Sequence, residues 1–356
     1  MNEKIRILIV DDSAFMRKSL SIMLNSDEDI EIVGTARDGM EGVALAKSLR
    51  PDLITMDIEM PRMDGLSALK IIMKEAPTSV IMVSSLTTEG AESTLKALEL
   101  GAVDFIPKEM SFVSVNISEI KADLIKKVKT ICRQTQLHKR LRKISGMSQG
   151  IRAKSFAKKS VPGLPINNYK AVAVGISTGG PLSLQKVIPQ LSKNIRVPIF
   201  IVQHMPPKFT KSLADRLNNM SEINVKEAQN NEEVKGGTVY IAQGGYHLNL
   251  KKTGIGKVAI KINPKPDNTL HRPSVDVMLD SVVSVYGKQT LAVIMTGMGH
   301  DGSEAIQRLK NIGGYCLAQD EDSCVVYGMP KAVVDAGNAD VIAPLEKIPL
   351  IINKAV

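Results

Sequence analysis

Residues 5–12 read Ile5-Arg6-Ile7-Leu8-Ile9-Val10-Asp11-Asp12, and residues 53–57 read Leu53-Ile54-Thr55-Met56-Asp57. Each is a short, mostly β-branched apolar run that stops on acid. Runs of this length, apolar on both sides of the pleat, are what strands buried on two faces require. Comparable runs stand at 30–33, 80–83 and 103–106. Segments with helical spacing occupy 14–24, 39–49, 66–74, 89–100 and 117–131. Five strand–helix units over residues 1–125 predict a doubly wound parallel sheet with helices on both faces.

Beyond this region the pattern breaks. Residues 140–168 carry Ser145-Gly146, Ser148-Gln149-Gly150, Pro162-Gly163 and Pro165 without periodicity. Residues 126–168 therefore read as a basic helix end and a flexible linker. A second alternation fills 169–356. Strand-like runs stand at 171–176, 195–203, 239–242, 258–262, 291–295, 315–318 and 341–343. Helical segments stand at 182–191, 208–218, 274–286, 303–311 and 330–336. This predicts a second, larger doubly wound α/β domain. Its loop motifs differ from those of the first, so the halves are not a duplication.

Composition agrees with two globular domains. The chain has 356 residues, 44% hydrophobic and 23% charged, which excludes a disordered class. Its apolar runs fall far short of the roughly 18 residues of a membrane span, so no membrane insertion is expected. The first apolar run stops at Asp11-Asp12, too early and too acidic for a secretory signal. Three cysteines, Cys132, Cys316 and Cys324, lack a CxxC spacing. Neither a disulfide framework nor a zinc site is expected, and a reducing cytoplasm is the natural location. The formal net charge is +9, yet twelve of the 46 Lys and Arg lie in residues 124–160, leaving 34 against 37 Asp and Glu elsewhere. That stretch reads first as a solvated helix end; docking to acidic partners or nucleic acid is the second reading. With no Trp, six Phe and six Tyr, the chain is poor in base-stacking platforms.

Ligands of open parallel sheets sit beyond the carboxyl ends of the strands. In the first domain those positions hold Asp11 and Asp12, then Asp57, Ser84 and Lys108. A lone Asp there is an ordinary helix cap. Three carboxylates together repel and need a cation, and oxygen-only ligands favour Mg²⁺. A carboxylate facing a phosphoryl donor can become an aspartyl phosphate, with Lys108 and the Ser84 hydroxyl on its oxygens. The motifs Val10-Asp11-Asp12-Ser13, Met56-Asp57 through Asp64-Gly65, Val83-Ser84-Ser85 and Phe105-Ile106-Pro107-Lys108 resemble the receiver domain of two-component response regulators. The resemblance covers residues 4–125. It implies a flavodoxin-like fold, phosphorylation of Asp57 by a histidine kinase, Mg²⁺ on Asp11, Asp12 and Asp57, and switch positions at Ser84 and Phe105 beside Lys108. Glu109 departs from the Pro that commonly follows the Lys.

In the second domain Gly175-Ile176-Ser177-Thr178-Gly179-Gly180-Pro181 follows the first strand, Gln203-His204-Met205-Pro206-Pro207 the second, and Thr296-Gly297-Met298-Gly299-His300-Asp301-Gly302 the run at 291–295. A Ser, a His and an Asp at three strand ends are the parts of a serine hydrolase. Each also has another reading: Ser177 as a phosphate-binding turn, His204 as a structural histidine, Asp301 as a helix cap. His300 is an alternative partner, and His247 and His271 read as structural or rim residues. These motifs, with Val239–Leu248 and His271-Arg272-Pro273-Ser274-Val275-Asp276, resemble the chemotaxis protein-glutamate methylesterase (CheB) family from Lys170 onward. The resemblance implies a Rossmann-like hydrolase domain with Ser177 as nucleophile, His204 as general base and acid, Asp301 as its orienting carboxylate, Thr178 as a support of the His, and the Met298 amide in the oxyanion hole. It implies glutamate methyl esters of methyl-accepting chemotaxis receptors as substrate, glutamine deamidation as a second reaction open to the same chemistry, and no cofactor for hydrolysis. The rival is a phosphorylation-switched DNA-binding regulator using 124–160, but no helix-turn-helix pattern follows the linker. A small-molecule esterase of the α/β-hydrolase type fits less well, because there the chain order is Ser, Asp, His.

Overall fold

The computed structural model describes residues 4–108, 121–135, 164–166 and 169–356. Most of the expected linker and Glu109 lie outside these residues. The chain divides into two compact units, Met1–Ser148 and Gln149–Val356.

The first unit runs β1 (Ile5–Val10), α1 (Ala14–Leu24), β2 (Ile30–Ala36), α2 (Gly39–Leu49), β3 (Leu53–Asp57), α3 (Gly65–Glu75), β4 (Ser79–Ser84), α4 (Thr88–Glu99) and β5 (Asp104–Pro107). Residues 121–135 form α5. The sheet order is β2-β1-β3-β4-β5, parallel throughout. Helices α1 to α4 each begin on a side-chain cap: Ser13, Asp38, Asp64 and Thr87 accept an amide of their helix's first turn. Every strand-to-helix turn is thereby fixed at one edge of the sheet. Leu124, Val128, Ile131 and Cys132 form the buried stripe of α5, and its Lys129 pairs with Asp27 and Asp29.

The second unit runs β6 (Ala171–Ile176), α6 (Gly180–Val187), β7 (Ile199–Gln203), α7 (Phe209–Met220), β8 (Asn224–Glu227), β9 (Thr238–Ile241), β10 (His247–Gly254), β11 (Lys257–Asn263), α8 (Val275–Tyr286), β12 (Thr290–Ile294), α9 (Ser303–Asn311), β13 (Tyr315–Gln319), α10 (Met329–Asp335), β14 (Val341–Ala343) and α11 (Ile348–Ala355). Seven strands form a parallel sheet in the order β14-β13-β12-β6-β7-β9-β8. From β6 the chain first builds outward through β7, then returns to the other side as β12. The crevice beyond the carboxyl end of β6 is thus a topological switch point, where open α/β sheets bind ligands.

Four elements differ from the sequence reading. The run at 258–262 is not a strand of the main sheet. It pairs antiparallel with β10, because Ile255-Gly256 reverses the chain at once and Gly256 sits at φ +71°. Leu248, Leu250 and Ile260 turn the inner face of this hairpin to the core. The edge strand β8 and the terminal α11 were not expected. β8 is polar and only half-buried, which hides it from an apolar-run criterion. The run at 195–203 begins its ladder only at Ile199, since Pro198 lacks an amide to donate.

Candidate active site and candidate phosphoryl pocket

In the first unit Asp11 follows β1 and Asp57 ends β3, both buried, with Asp12 exposed beside them. Each of the three offers a carboxylate oxygen, and these oxygens all lie within 4.8 Å of one another. Lys108 Nζ donates to Asp57 Oδ2 at 2.7 Å, and the Glu59 amide to Oδ1 at 3.2 Å. Asp11 Oδ1 accepts the Ser13 amide, whereas its Oδ2 is buried without a partner. Burial pushes the Asp57 carboxyl up to about 6, the Asp11 charge adds to this, and Lys108 opposes it. Burial raises Asp11 as well. An oxygen-only donor set, two strained carboxylates and an orphaned buried oxygen fit a hard divalent cation.

The remaining residues of this pocket are placed as follows. Gly65 brings α3 so close to Asp57 that a Cβ there would lie 2.0 Å from the Asp57 carbonyl oxygen. The Ser84 hydroxyl donates to the Gly90 carbonyl at 3.1 Å and accepts from Thr94 at 2.8 Å, so in this structure it is engaged by the first turn of α4. Phe105 is buried.

In the second unit Ser177, His204 and Asp301 follow β6, β7 and β12, three adjacent strands. Ile176 and Gln203 are register partners, so Ser177 and His204 leave the sheet side by side. The Ser177 turn is sewn to both neighbours. Its amide donates to the Thr296 carbonyl at 2.9 Å, and its carbonyl accepts the Gln203 side chain at 3.0 Å and the Gly180 amide at 2.8 Å. Gly179 takes φ +75°, and Pro181 enters the first turn of α6.

His204 Nε2 and Asp301 Oδ2 lie 2.8 Å apart. Asp301 also accepts the Val275 amide on Oδ2 (2.7 Å), and the Ser274 hydroxyl (2.9 Å) and Asp276 amide (3.0 Å) on Oδ1. Burial would raise the Asp301 carboxyl. The His204 bond and charge, with the Asp276 and Val275 amides, outweigh it and hold the group well below the usual carboxylate range. An ionised Asp301 makes Nε2 the protonated nitrogen. His204 Nδ1 is left as a buried, unpartnered acceptor, the nitrogen free to take a proton. In the common Ser-His-Asp template the carboxylate faces Nδ1; here it faces Nε2. His300 is exposed, and Asp301 is the residue on His204.

Thr178 is buried and held by its carbonyl, which accepts the Thr296 hydroxyl at 2.9 Å; no bond from Thr178 to His204 occurs among the described residues. Met298 follows Gly297, whose backbone abuts Ser177 so closely that a Cβ would lie 2.8 Å from the Ser177 Cβ. Sequence reasoning overlooked Thr296. It binds Thr178, Val326 and Gln319 as well as Ser177, and so ties three loops together. Its only signal was its place between a strand and a Gly-rich loop. His271, read as a rim residue, stacks on His204 with centroids 4.1 Å apart. His247 is fully buried; its Nδ1 accepts the Ser274 amide, and its Nε2 lies 3.2 Å from the Pro266 carbonyl.

Comparison with known proteins agrees with this geometry. Residues 172–352 match the family model described as CheB methylesterase, and residues 7–116 match that described as response regulator receiver domain. The chain is 47% identical to the protein-glutamate methylesterase/protein-glutamine glutaminase of Pyrococcus abyssi, over 99% of this chain and 94% of that one. It is 48% identical to the protein of the same name from Thermotoga maritima, over 97% and 96%. The crystal structure of the Thermotoga maritima CheB methylesterase catalytic domain superposes with TM-score 0.51 at 49% identity, covering 53% of this chain and 99% of that one. These matches set aside the DNA-binding alternative. A receiver sheet joined in one chain to a hydrolase sheet, with the family's motifs on both, leaves one assignment: the chain belongs to the CheB methylesterase family.

Proposed function

We propose that this chain is a phosphorylation-regulated protein-glutamate methylesterase acting on chemoreceptors. The single observation that carries the reading is the His204–Asp301 pair. It leaves a buried acceptor nitrogen, His204 Nδ1, at the switch point where Ser177 leaves the neighbouring strand. In this reading Ser177 Oγ attacks the γ-carbonyl carbon of a glutamate methyl ester, and its proton passes to His204 Nδ1. Asp301 stays ionised and stabilises the imidazolium. The oxyanion is met by backbone amides, that of Met298 among them. Collapse returns the proton to methoxide, releasing methanol and leaving a glutamyl ester on Ser177. Water then attacks that ester with His204 again as base, freeing the carboxylate. An amide in place of the ester releases ammonia by the same steps, which accords with the glutaminase in the relatives' name.

Asp57 is the acceptor of a phosphoryl group from a histidine kinase of the chemotaxis type. Asp11, Asp12 and Asp57 would hold Mg²⁺, which neutralises charge on that group when bound. Lys108 pairs with the phosphoryl oxygens, and the Ser84 hydroxyl leaves Gly90 to join them as Phe105 repacks. No helix among the described residues is long and apolar enough to cross a membrane; with the receptor as substrate, the reading places the enzyme in the cytoplasm. The expected domains at 1–125 and 169–356, with 126–168 between, complete it, α5 carrying the first domain on to residue 135. The test is methanol release from membranes carrying methylated chemoreceptor. The full-length protein should release methanol, and Ser177→Ala should not; near-normal release by Ser177→Ala would overturn the reading.

A further inference from the structure

The carboxylate that holds His204 sits on a soft support. The loop from Gly297 to Gly302 contains three glycines, and Gly299 and Gly302 take φ +85° and +95°. Such a loop has many conformations of similar energy. Yet Asp301 must present one oxygen to His204 while both oxygens meet the N-terminus of α8 through Ser274, Val275 and Asp276. The contact is returned from the other side. Asp276, in the first turn of α8, accepts the Ala305 amide, from the first turn of α9, on Oδ1 at 2.8 Å. Asp301, two residues before α9, thus caps α8, and Asp276 of α8 caps α9. Two carboxyl groups are crossed between two helix N-termini, each satisfying donors that a helix start leaves open. The arrangement has a cost: burial, and the Asp301 charge beside it, raise the Asp276 carboxyl above its ordinary range.

We propose that Asp276 is a positioning residue for hydrolysis. By gripping the Ala305 amide in the first turn of α9 it fixes the glycine-rich turn that carries Asp301, and through Asp301 the orientation of His204. The proposal rests on the Ser177–His204–Asp301 reading above.

The experiment is steady-state methanol release by the full-length protein on methylated chemoreceptor membranes, comparing Asp276→Ala, Asp276→Asn, Asp301→Ala, Asp276→Ala/Asp301→Ala and Ser177→Ala, with a thermal melt for each. Asp276→Ala is expected to lower kcat about tenfold with KM within about twofold, since a misdirected base slows chemistry rather than binding. Asp276→Asn retains an acceptor and should recover to within about threefold of wild type. The double variant should match Asp301→Ala within about twofold, because one residue acts through the other. Should Asp276→Ala melt below the assay temperature, Asp276→Ser, with a short acceptor, takes its place and is expected to fall between Ala and Asn. A kcat unchanged in Asp276→Ala, a loss carried by KM, or losses that multiply in the double variant would each overturn the proposal. An active Ser177→Ala would instead overturn the underlying site.

Discussion

Asp57 and Asp301 stand at the carboxyl ends of two parallel sheets, both largely withdrawn from water, and their environments push them in opposite directions. Burial, with the like charge of Asp11, raises Asp57 to about 6, because the one lysine and one amide it receives do not offset them. Asp301 receives a histidine, a hydroxyl and two amides from the start of a helix, and is held low. Burial alone therefore says little about a carboxylate's chemistry; the supply of donors decides it. The under-supplied group suits a site that awaits a cation and a phosphoryl group. The over-supplied group suits one that must stay charged while a neighbour gains and loses a proton.

The comparison is broken most violently at the hydrolytic centre. Ser177→Ala and His204→Ala should each lower methanol release by at least about 10³-fold, and the pair together little more, since they act as a unit. Equal losses that multiplied in the double variant would mean independent roles. At the other site, Asp57→Asn should abolish labelling by phosphorylated kinase or acetyl phosphate. Label that persists and is acid-stable would place the acceptor on a hydroxyl instead.

Stability sharpens the contrast, because the two neutralising substitutions should have opposite signs. A raised native pKa at Asp57 means the folded state holds a proton between about pH 4 and 6 that the unfolded state has lost. Folding is penalised as pH rises through that window, by about 3 kcal/mol once complete. Asp57→Asn should accordingly match wild type near pH 4 and be the more stable protein at pH 7.5, with divalent cation narrowing the gap by binding wild type. Asp301 is lowered, so its stabilisation is present above the ordinary Asp range and fades as the pH falls through the depressed native value. Asp301→Asn should be less stable at pH 7.5, the deficit closing in acid. Denaturant midpoints at the two pH values read both signs; gaps of the same sign would break the comparison. The smallest effect is expected at Thr296→Val, which keeps the shape but strands the Thr178 carbonyl and the Val326 amide. About 1–3 kcal/mol of stability should go, with a fall in kcat of about tenfold as the Ser177 turn loosens.

Much of this architecture was open to reading because parallel strands buried on both faces write themselves as apolar runs, and each candidate site residue stands at the end of one of them. β1 leads to Asp11, β3 ends on Asp57, and β6, β7 and β12 lead to Ser177, His204 and Asp301. What escaped depends on packing between distant segments. The hairpin of β10 and β11 looks like sheet until its turn is seen, and β8 is a polar edge. Asp276 reads as an ordinary first-turn acid of α8; only the meeting of α8 with α9 makes it a clamp on Asp301. Thr296 and His271 stand in motifs the sequence displays, but their contacts are not legible there, because their partners lie across three loops and on another strand's end.

The coupling of the two sites is the central claim, and one measurement addresses it directly. Methanol release by the full-length protein is followed with Mg²⁺, before and after acetyl phosphate, for wild type, Asp57→Asn and Ser177→Ala. The account predicts a rise of about tenfold in wild type, a bias of only about 1.4 kcal/mol, no rise in Asp57→Asn, and no release from Ser177→Ala in either state. An equal rise in Asp57→Asn, or turnover without Ser177, would contradict it.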